Sequence, residues 1–598
     1  MDLPPGVVYL ARELPLTLLP SVLTYVFLTR LLPLLSSLEL PLSARVGAAI
    51  IAQPIGIVIS YIIREIRYAR DATARGAVHI PSVPSKKWGG LSLIEEMKRS
   101  VYPADFLLDW MEVYGNTVVA KVLGDYAIFT TEPEYIKAIL ATDFDSWWKG
   151  PDAHLVGKSL LGSGVFNTDD AMWKFHRTMS RPFFSRERIS DFDLFDRHSN
   201  DALRRLGQRL SEGHAVDIQD LVSRFTLDSA TEFLFGKSVD SISAGLPYPS
   251  TSSAPSGTNF NSTHPSNTYV KAFVQAQLLT TKRVAYSSKW PLYEFWRDRV
   301  KPMRQVCDEY VRGILEEAVD RKRGTGRGRG GDGTGIEEKE EEKQETFLSH
   351  LVEATEDKEV IMDSIFNILV AGRDTTAATL TFAVYMLAEH PDMANRLRKE
   401  VLEVVGSARM PTYDDVRGMK FLRAFINETL RLYPPVPFDS RTSKTATVWP
   451  ALKPGDKPLY VTLNSRVRYC VFLMHRRKDL WGPDALEFDP DRFLDDRVRK
   501  YLTPNPFIFL PFNAGPRICL GQQFAYNEAS FFLIRLLQKF TSFTLAPDAQ
   551  PESTRPPESW KRAKGTQATE KIMLERHLTM FAKGGLWVRM KAVATEQE

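Results

Sequence analysis

The sequence predicts a mainly α-helical domain carried behind an N-terminal membrane anchor. Three observations lead there. An uncharged apolar run of 18 residues lies near the start, helical hydrophobic periodicity dominates from about residue 90, and strand-like runs are short. The chain has 598 residues, 43% hydrophobic and 25% charged, which is the composition of a folded protein and excludes bulk disorder. At about 150 residues per domain the length would allow about four domains, but the motifs below draw most of the chain into one. The net charge of +4 is too mild to mark a nucleic-acid binder, so no nucleic-acid partner is expected.

The apolar run, VGAAIIAQPIGIVISYII at residues 46–63, has about the length a bilayer core requires. Arg64, Arg67, Arg70, Arg75, Lys86 and Lys87 follow it, and the positive-inside rule places that flank in the cytosol. The other reading of such a run is a buried core helix. An earlier apolar stretch, 16–35, is interrupted by Pro20, Arg30 and Pro33, and is a second span, an interfacial helix or a re-entrant segment. No small-residue cleavage site is evident, which argues against a removed signal peptide. Residues 1–70 therefore read as an anchor held by membrane lipid. Residues 71–90 read as a linker that Pro81 and Pro84 stiffen, and 91–598 as the folded domain.

Within that domain, NTVVAKVLGDYAIFT early and LTMFAKGGLWVRM late look like strands. Residues 241–267, rich in Ser, Pro, Thr and Gly, and 321–343, a basic block followed by an acidic one, read as flexible surface insertions. Gly326, Gly328 and Gly331 satisfy G-x-G-x-x-G but lack the strand before and the helix after that a dinucleotide site needs. Gly157-Lys158-Ser159 resembles the end of a P-loop, yet Asp152 stands where the first glycine belongs. Asn261-Ser262-Thr263 is a glycosylation sequon that a cytosolic domain would leave unmodified.

Only three cysteines occur, Cys307, Cys470 and Cys519, too few and too scattered for a disulfide framework or a C-x-x-C site. This suits a reducing compartment. Cys519 has the informative context, PFNAGPRICLGQQFA. A clean helical pattern follows it, so the sulfur sits just ahead of a helix N-terminus, where backbone N–H groups favour a thiolate. Gly515 and Gly521 allow close approach of a flat partner, and Arg517 can meet a carboxylate two residues away on that loop. A thiolate on such a loop fits an axial haem-iron ligand. The plain alternative is a buried, inert cysteine.

The pattern F-x-x-G-x-R-x-C-x-G, running here from Phe512 through Gly515, Arg517 and Cys519 to Gly521, resembles the haem-binding loop of the cytochrome P-450 superfamily. Other segments agree in type and order. AGRDTT at 371–376, inside a long apolar run, resembles the helix over the oxygen-binding face of the haem, with Thr375 and Asp374 as the proton-delivering hydroxyl and acid. ETLR, with Glu428 and Arg431 on one helical face, and Arg492 in FDPDRF resemble the family's structural carboxylate–arginine set. Trp173 and Arg177, one helical turn apart, and Arg441 stand where the family contacts the haem propionates. His176 reads as a bystander. The resemblance covers roughly 85–595, and its wording is similar to the fungal branch that oxidises alkanes, fatty acids and other long or aromatic hydrocarbons.

The resemblance implies the helical haem-thiolate fold with small β-sheets, the cytochrome P-450 fold, tethered with its catalytic domain on the cytosolic face of the endoplasmic reticulum. It implies a monooxygenase that uses O2 and two electrons from NADPH. These come through a separate membrane-bound flavoprotein reductase, because the chain carries no credible flavin or nicotinamide site. The lipophilic substrate pocket is expected at Trp147 and Trp148, Phe366 and Val370, Val436 and Phe438, and Leu578, Thr579 and Met580. The rival readings are a haem-thiolate isomerase or peroxygenase that bypasses O2 reduction, and a non-catalytic membrane haem- or sterol-binding protein.

Overall fold

The computed structural model describes residues 3–593 apart from 37, 39, 123, 191, 250–262 and 328–345. The anchor run lies in a single helix, Leu42–Ala74, and Ala49 is the one buried residue of the run. An uncharged apolar surface of that length, left open by its own protein, is what a bilayer core covers. The preceding helices, Pro5–Thr17 and Leu19–Leu35, bend by 44° at their junction. They pack back on the long helix, with Gln53 Nε2 donating to Thr17 O at 2.5 Å and Ser21 Oγ to Gln53 Oε1 at 3.2 Å.

The base of the anchor is built into the domain. Arg64 donates to Gly124 O at 2.8 Å, Glu65 pairs with Lys121 at 2.8 Å, and Asp71 accepts from the Tyr460 hydroxyl. The residues expected to serve only as a linker also supply a strand. Val78 and His79 pair in parallel with Leu459 and Tyr460, Ser82 bridges Val119, and Ile80 and Val83 are buried. Gly76, at φ +66°, ends the helix, and the extended chain that follows satisfies its backbone groups at a sheet edge.

The two strand-like runs form strands, Thr117–Val122 and Asp125–Thr130 early, Met580–Ala582 and Trp587–Ala592 late. The first pair opens a five-stranded sheet that continues through Arg466–Cys470 and Phe438–Ser443 to Trp147–Trp148. The helical side is organised around Lys358–Glu389, buried on every face from Thr376 to Leu387. A helix apolar all round belongs inside a core. Asp357 caps it, accepting from the backbone N–H groups of Glu359 and Val360. Ile218–Phe235, Asp193–Ser211 and Gln522–Lys539 pack around it.

The insertion expected at 241–267 is narrower than the composition suggests. Ser241, Ile242 and Ala244 are buried in a short 3₁₀ turn, and Pro265 already opens the helix Pro265–Tyr286. The intervening 250–262, with Asn261 of the sequon, lie outside the described residues, as do 328–345 of the charged insertion; 321–327 complete the helix Val300–Arg327.

Glu528, on Gln522–Lys539, is fully buried, with Thr376 and Ser229 as polar neighbours and neither oxygen in a well-formed hydrogen bond. Burial pushes its carboxyl up to about 8 from 4.5. Between those values the native state holds a proton that the unfolded chain has lost, so stability falls as pH rises through the interval. Glu528→Gln stays neutral throughout. Its stability relative to the parent is expected to rise between about pH 5 and 8 in denaturant titrations; a pH-independent difference would refute the assignment.

Candidate active site

Cys519 sits on a loop between the 3₁₀ turn Gly515–Arg517 and the helix Gln522–Lys539, with its N–H donating to Phe512 O at 3.0 Å. Phe512, half-buried, packs its ring 5.1 Å from Tyr526. Gly515 adopts φ +68°, and a Cβ there would meet Leu140 O at 1.8 Å, so only glycine lets the loop seat against residues 138–142.

The sulfur is accessible to solvent yet surrounded by protein, so its free surface opens onto interior space. Burial pushes its thiol up, opposed by the Gly521 N–H and by Arg177. The Gly521 N–H at the helix start is one of the two influences that favour the thiolate, as the position ahead of the helix leads one to expect. Coordination to a metal would remove the proton that burial favours.

The carboxylate that Arg517 meets comes from another part of the chain, Asp169, at 2.6 Å, with Thr168 O at 3.0 Å. The Arg517 guanidinium also lies 4.4 Å from the centre of the buried Trp173 ring. Arg177 reaches the cysteine loop directly, donating to Ile518 O at 2.7 Å. His176 is tied at both ring nitrogens, to Ser163 O at 2.6 Å and Ser364 Oγ at 3.1 Å.

Arg441 pairs with Asp439 at 2.9 Å, and so does Lys149, at 2.9 Å. Burial and the Arg441 charge push the Lys149 ammonium down to about 8, against the pull of Asp439. Burial and Arg441 push Arg517 down to about 10. Burial opposes ionisation of Asp169 and Asp439, yet both carboxyls are held below the usual range. His154, the Lys149 and Gly150 N–H groups and Arg517 act on Asp169, and Arg441 and Lys149 act on Asp439. Four cations, counting Arg177, thus face two acids. Arg441 Nε and the indole N–H groups of Trp147 and Trp148 are buried without partners. A surplus of enclosed cationic and N–H donors beside an accessible sulfur fits an iron porphyrin with two carboxylate arms. Cys519 would ligate its iron, and Arg441, Lys149, Arg177 and Trp148 are positioned to take its propionates.

On Lys358–Glu389, Thr375 keeps accessible surface while its neighbours Arg373, Asp374 and Thr376 are buried. Its hydroxyl donates to Ala371 O at 2.7 Å. Asp374 is held at both oxygens, by Arg373 Nη1 at 2.6 Å and by Gln277 Nε2 at 2.6 Å. Neither Gln277 nor Lys149 is recognisable from sequence, since each meets its partner across more than 90 residues.

Glu428, Arg431 and Arg492 come together fully buried. Arg431 grips the carboxylate with two bonds of 2.7 Å and Arg492 approaches it at 3.4 Å.

Of the expected pocket residues, several are packed into core. Trp147 stacks 6.0 Å from Trp449, and Phe366 lies between Phe273 and the Arg304 guanidinium. Val370, Thr579 and Met580 are buried, the last with its N–H on Pro435 O. Their apolar partners from other helices cover them. Trp148, Val436, Phe438 and Leu578 keep surface open.

Comparison with known proteins decides the family. A family model described as Cytochrome P450 matches residues 89–569. The chain belongs to the cytochrome P450 family. It is 35% identical to Cytochrome P450 52A13 of Debaryomyces hansenii, covering 82% of this chain and 91% of that protein. It is 37% identical to Cytochrome P450 52A3-A of Candida maltosa, over 77% and 84%, and 35% identical to Cytochrome P450 monooxygenase pvhE of Talaromyces variabilis, over 77% and 83%. The protein is thus a P450 monooxygenase, an oxidoreductase whose family cofactor is a haem with cysteine thiolate ligation.

Proposed function

We propose that this P450 hydroxylates lipophilic substrates of the long-chain alkane, fatty-acid or aromatic-hydrocarbon type. It does so at the cytosolic face of the endoplasmic reticulum, with electrons from NADPH through a separate flavoprotein reductase. The observation that carries the reading is Thr375, an accessible hydroxyl beside a clamped acid on the buried central helix. The balance is RH + O2 + two electrons + two protons giving ROH + H2O. When bound, the haem supplies oxygen activation, and a thiolate ligand pushes electron density towards O–O cleavage.

The chain's own residues do the rest. Arg431 and Glu428 stiffen the framework behind the cysteine loop. Thr375 exchanges its bond to Ala371 O for one to the reacting oxygen and delivers a proton, and Asp374 replenishes it. Arg373 and Gln277 keep the Asp374 carboxylate from turning away. Val436, Phe438 and Leu578 present apolar surface and exclude water. The anchor, joined rigidly at Arg64, Glu65 and Asp71, holds the domain where lipophilic molecules concentrate. The reductase would dock on the Cys519 side, through basic groups.

Turnover under isotopic O2 with purified reductase tests the reading. One labelled oxygen is expected in the product and the other in water, and Thr375→Ala should still bind haem while diverting most electrons to peroxide. Unlabelled product would favour a peroxygenase or isomerase. Failure to consume NADPH with any lipophilic compound would favour a non-catalytic binder.

A further inference from the structure

The N-terminal anchor touches the folded domain at both of its ends. Its long helix, Leu42–Ala74, joins the domain at Arg64, Glu65 and Asp71. The second contact comes from the opposite end of the anchor. Gly6, at the start of Pro5–Thr17, donates its N–H to Phe295 O at 2.9 Å and is the one buried residue of its helix. A Cβ at Gly6 would meet the Phe295 ring at 2.2 Å, so the backbone lies directly on that ring. Phe295 belongs to the domain. Its neighbour Glu294 is buried and pairs with Arg283 at 2.5 Å, and Arg283 also pairs with Asp298 at 2.5 Å.

Between these two contacts the chain goes out and returns. Six residues link Leu35 to Leu42, a reach of at most about 25 Å. The long helix measures about 50 Å from end to end, so Leu35 stands closer to its start than to its base in the domain. The two limbs are therefore antiparallel, and they touch midway. Gln53 Nε2 donates to Thr17 O, Ser21 Oγ donates to Gln53 Oε1, and a Cβ at Gly56 would meet Pro20 at 2.8 Å. Charges mark the same two levels on both limbs. Arg12 and Glu13 precede 16 uncharged residues, 14–29, and Arg30 follows them. Arg45 precedes 18 uncharged residues, 46–63, and Arg64 and Glu65 follow those. Arg30 lies nine residues past Ser21 and Arg45 eight before Gln53, while Arg12 lies nine before Ser21 and Arg64 eleven past Gln53. At 1.5 Å per residue the paired levels agree to within about 3 Å.

A helix resting in the plane of the interface turns a polar face to water. Here the order is reversed. Leu16, Leu19, Val22, Leu23, Val26 and Phe27 are exposed, while Ser21 turns to Gln53 on the partner limb. We infer that residues 14–29 are a second membrane span. The anchor is then a helical hairpin that leaves the domain at Gly6, turns at 36–41 on the far side of the bilayer and returns along 46–63. The sidedness, though not the hairpin, rests on the cytosolic placement proposed above. Sixteen residues reach about 24 Å against a hydrocarbon core of about 30 Å, and Arg12 and Arg30 at the two ends make up the difference by extending to the headgroups. Attachment at both ends of the hairpin fixes the orientation of the domain to the membrane, where a single stalk would let it swivel.

Glycosylation mapping of the full-length protein in endoplasmic-reticulum microsomes tests the hairpin. A Gly/Ser-flanked Asn-Ser-Thr acceptor is inserted ahead of Pro5 or between Leu38 and Glu39, each with Asn261→Gln, and Asn261 of the parent reports the side of the domain. The insert in the turn is expected to be modified, seen as a size increase that endoglycosidase H reverses. The insert ahead of Pro5 should stay unmodified, like Asn261. Modification of both inserts would mean a single span, and modification of neither would mean none; either overturns the hairpin. If Asn261 is modified, the cytosolic reading fails by itself, and the hairpin then requires the insert ahead of Pro5 to be modified and the turn to be bare. Asp2→Cys and Ser36→Cys give a second readout without an insertion. In sealed microsomes a membrane-impermeant maleimide should label the first at once and the second only after detergent, and equal labelling of the two would overturn the hairpin. An unaltered ferrous–CO band in each variant verifies the fold.

Discussion

Cys519→Ala is expected to abolish the red-shifted Soret band of the ferrous–CO complex and all oxygen-dependent turnover. That band requires a thiolate opposite the CO, and no other residue in this chain can supply one. Cys307 and Cys470 are buried in core clusters, their thiols pushed up to about 12. His176, the nearest histidine in sequence to the Arg177 contact, has both ring nitrogens engaged. The loop itself should survive the change. Its shape depends on Gly515 against Leu140, on the Cys519 N–H to Phe512 O, and on Arg517 with Asp169, none of which uses the sulfur. Far-ultraviolet circular dichroism should therefore be unchanged while the band disappears. A retained band would mean the ligand is misassigned.

Arg431→Leu is expected to cost about 3–5 kcal/mol of stability and most of the folded holoprotein. The substitution leaves the Glu428 carboxylate at 0% exposure with only the Arg492 contact at 3.4 Å and the Asp489 N–H at 2.9 Å. It also strips donors from the carbonyls of His475, Ala485 and Glu487. Replacing Glu428 by leucine at the same time removes the uncompensated charge, and should restore part of the loss but not all, because those carbonyls stay unpaired. Denaturant midpoints of the single and double variants measure this. A single variant within about 1 kcal/mol of the parent would show that the buried set does not hold the framework.

Several features were readable from the chain alone because their cause is local. The anchor is one uncharged run, and a single helix contains all of it. The cysteine loop is ten consecutive residues, with Gly515 where φ must be positive. Glu428 and Arg431 meet because i and i+3 share a helical face. The 78–79 strand was missed because its partner lies some 380 residues further on, and a two-residue strand carries no periodicity.

The site divides the same way. Residue type and spacing singled out Cys519, and the resemblance to the P-450 family pointed to Thr375, Asp374 and Arg441. Only the tertiary structure decided that Asp169 answers Arg517, that Gln277 clamps Asp374, and that Lys149 shares Asp439 with Arg441. It also decided that Trp147 and Phe366 turn into core. Charge pairing and desolvation depend on distance and enclosure. Those are set by how helices and strands far apart in the chain pack, and short-range pattern carries no record of them.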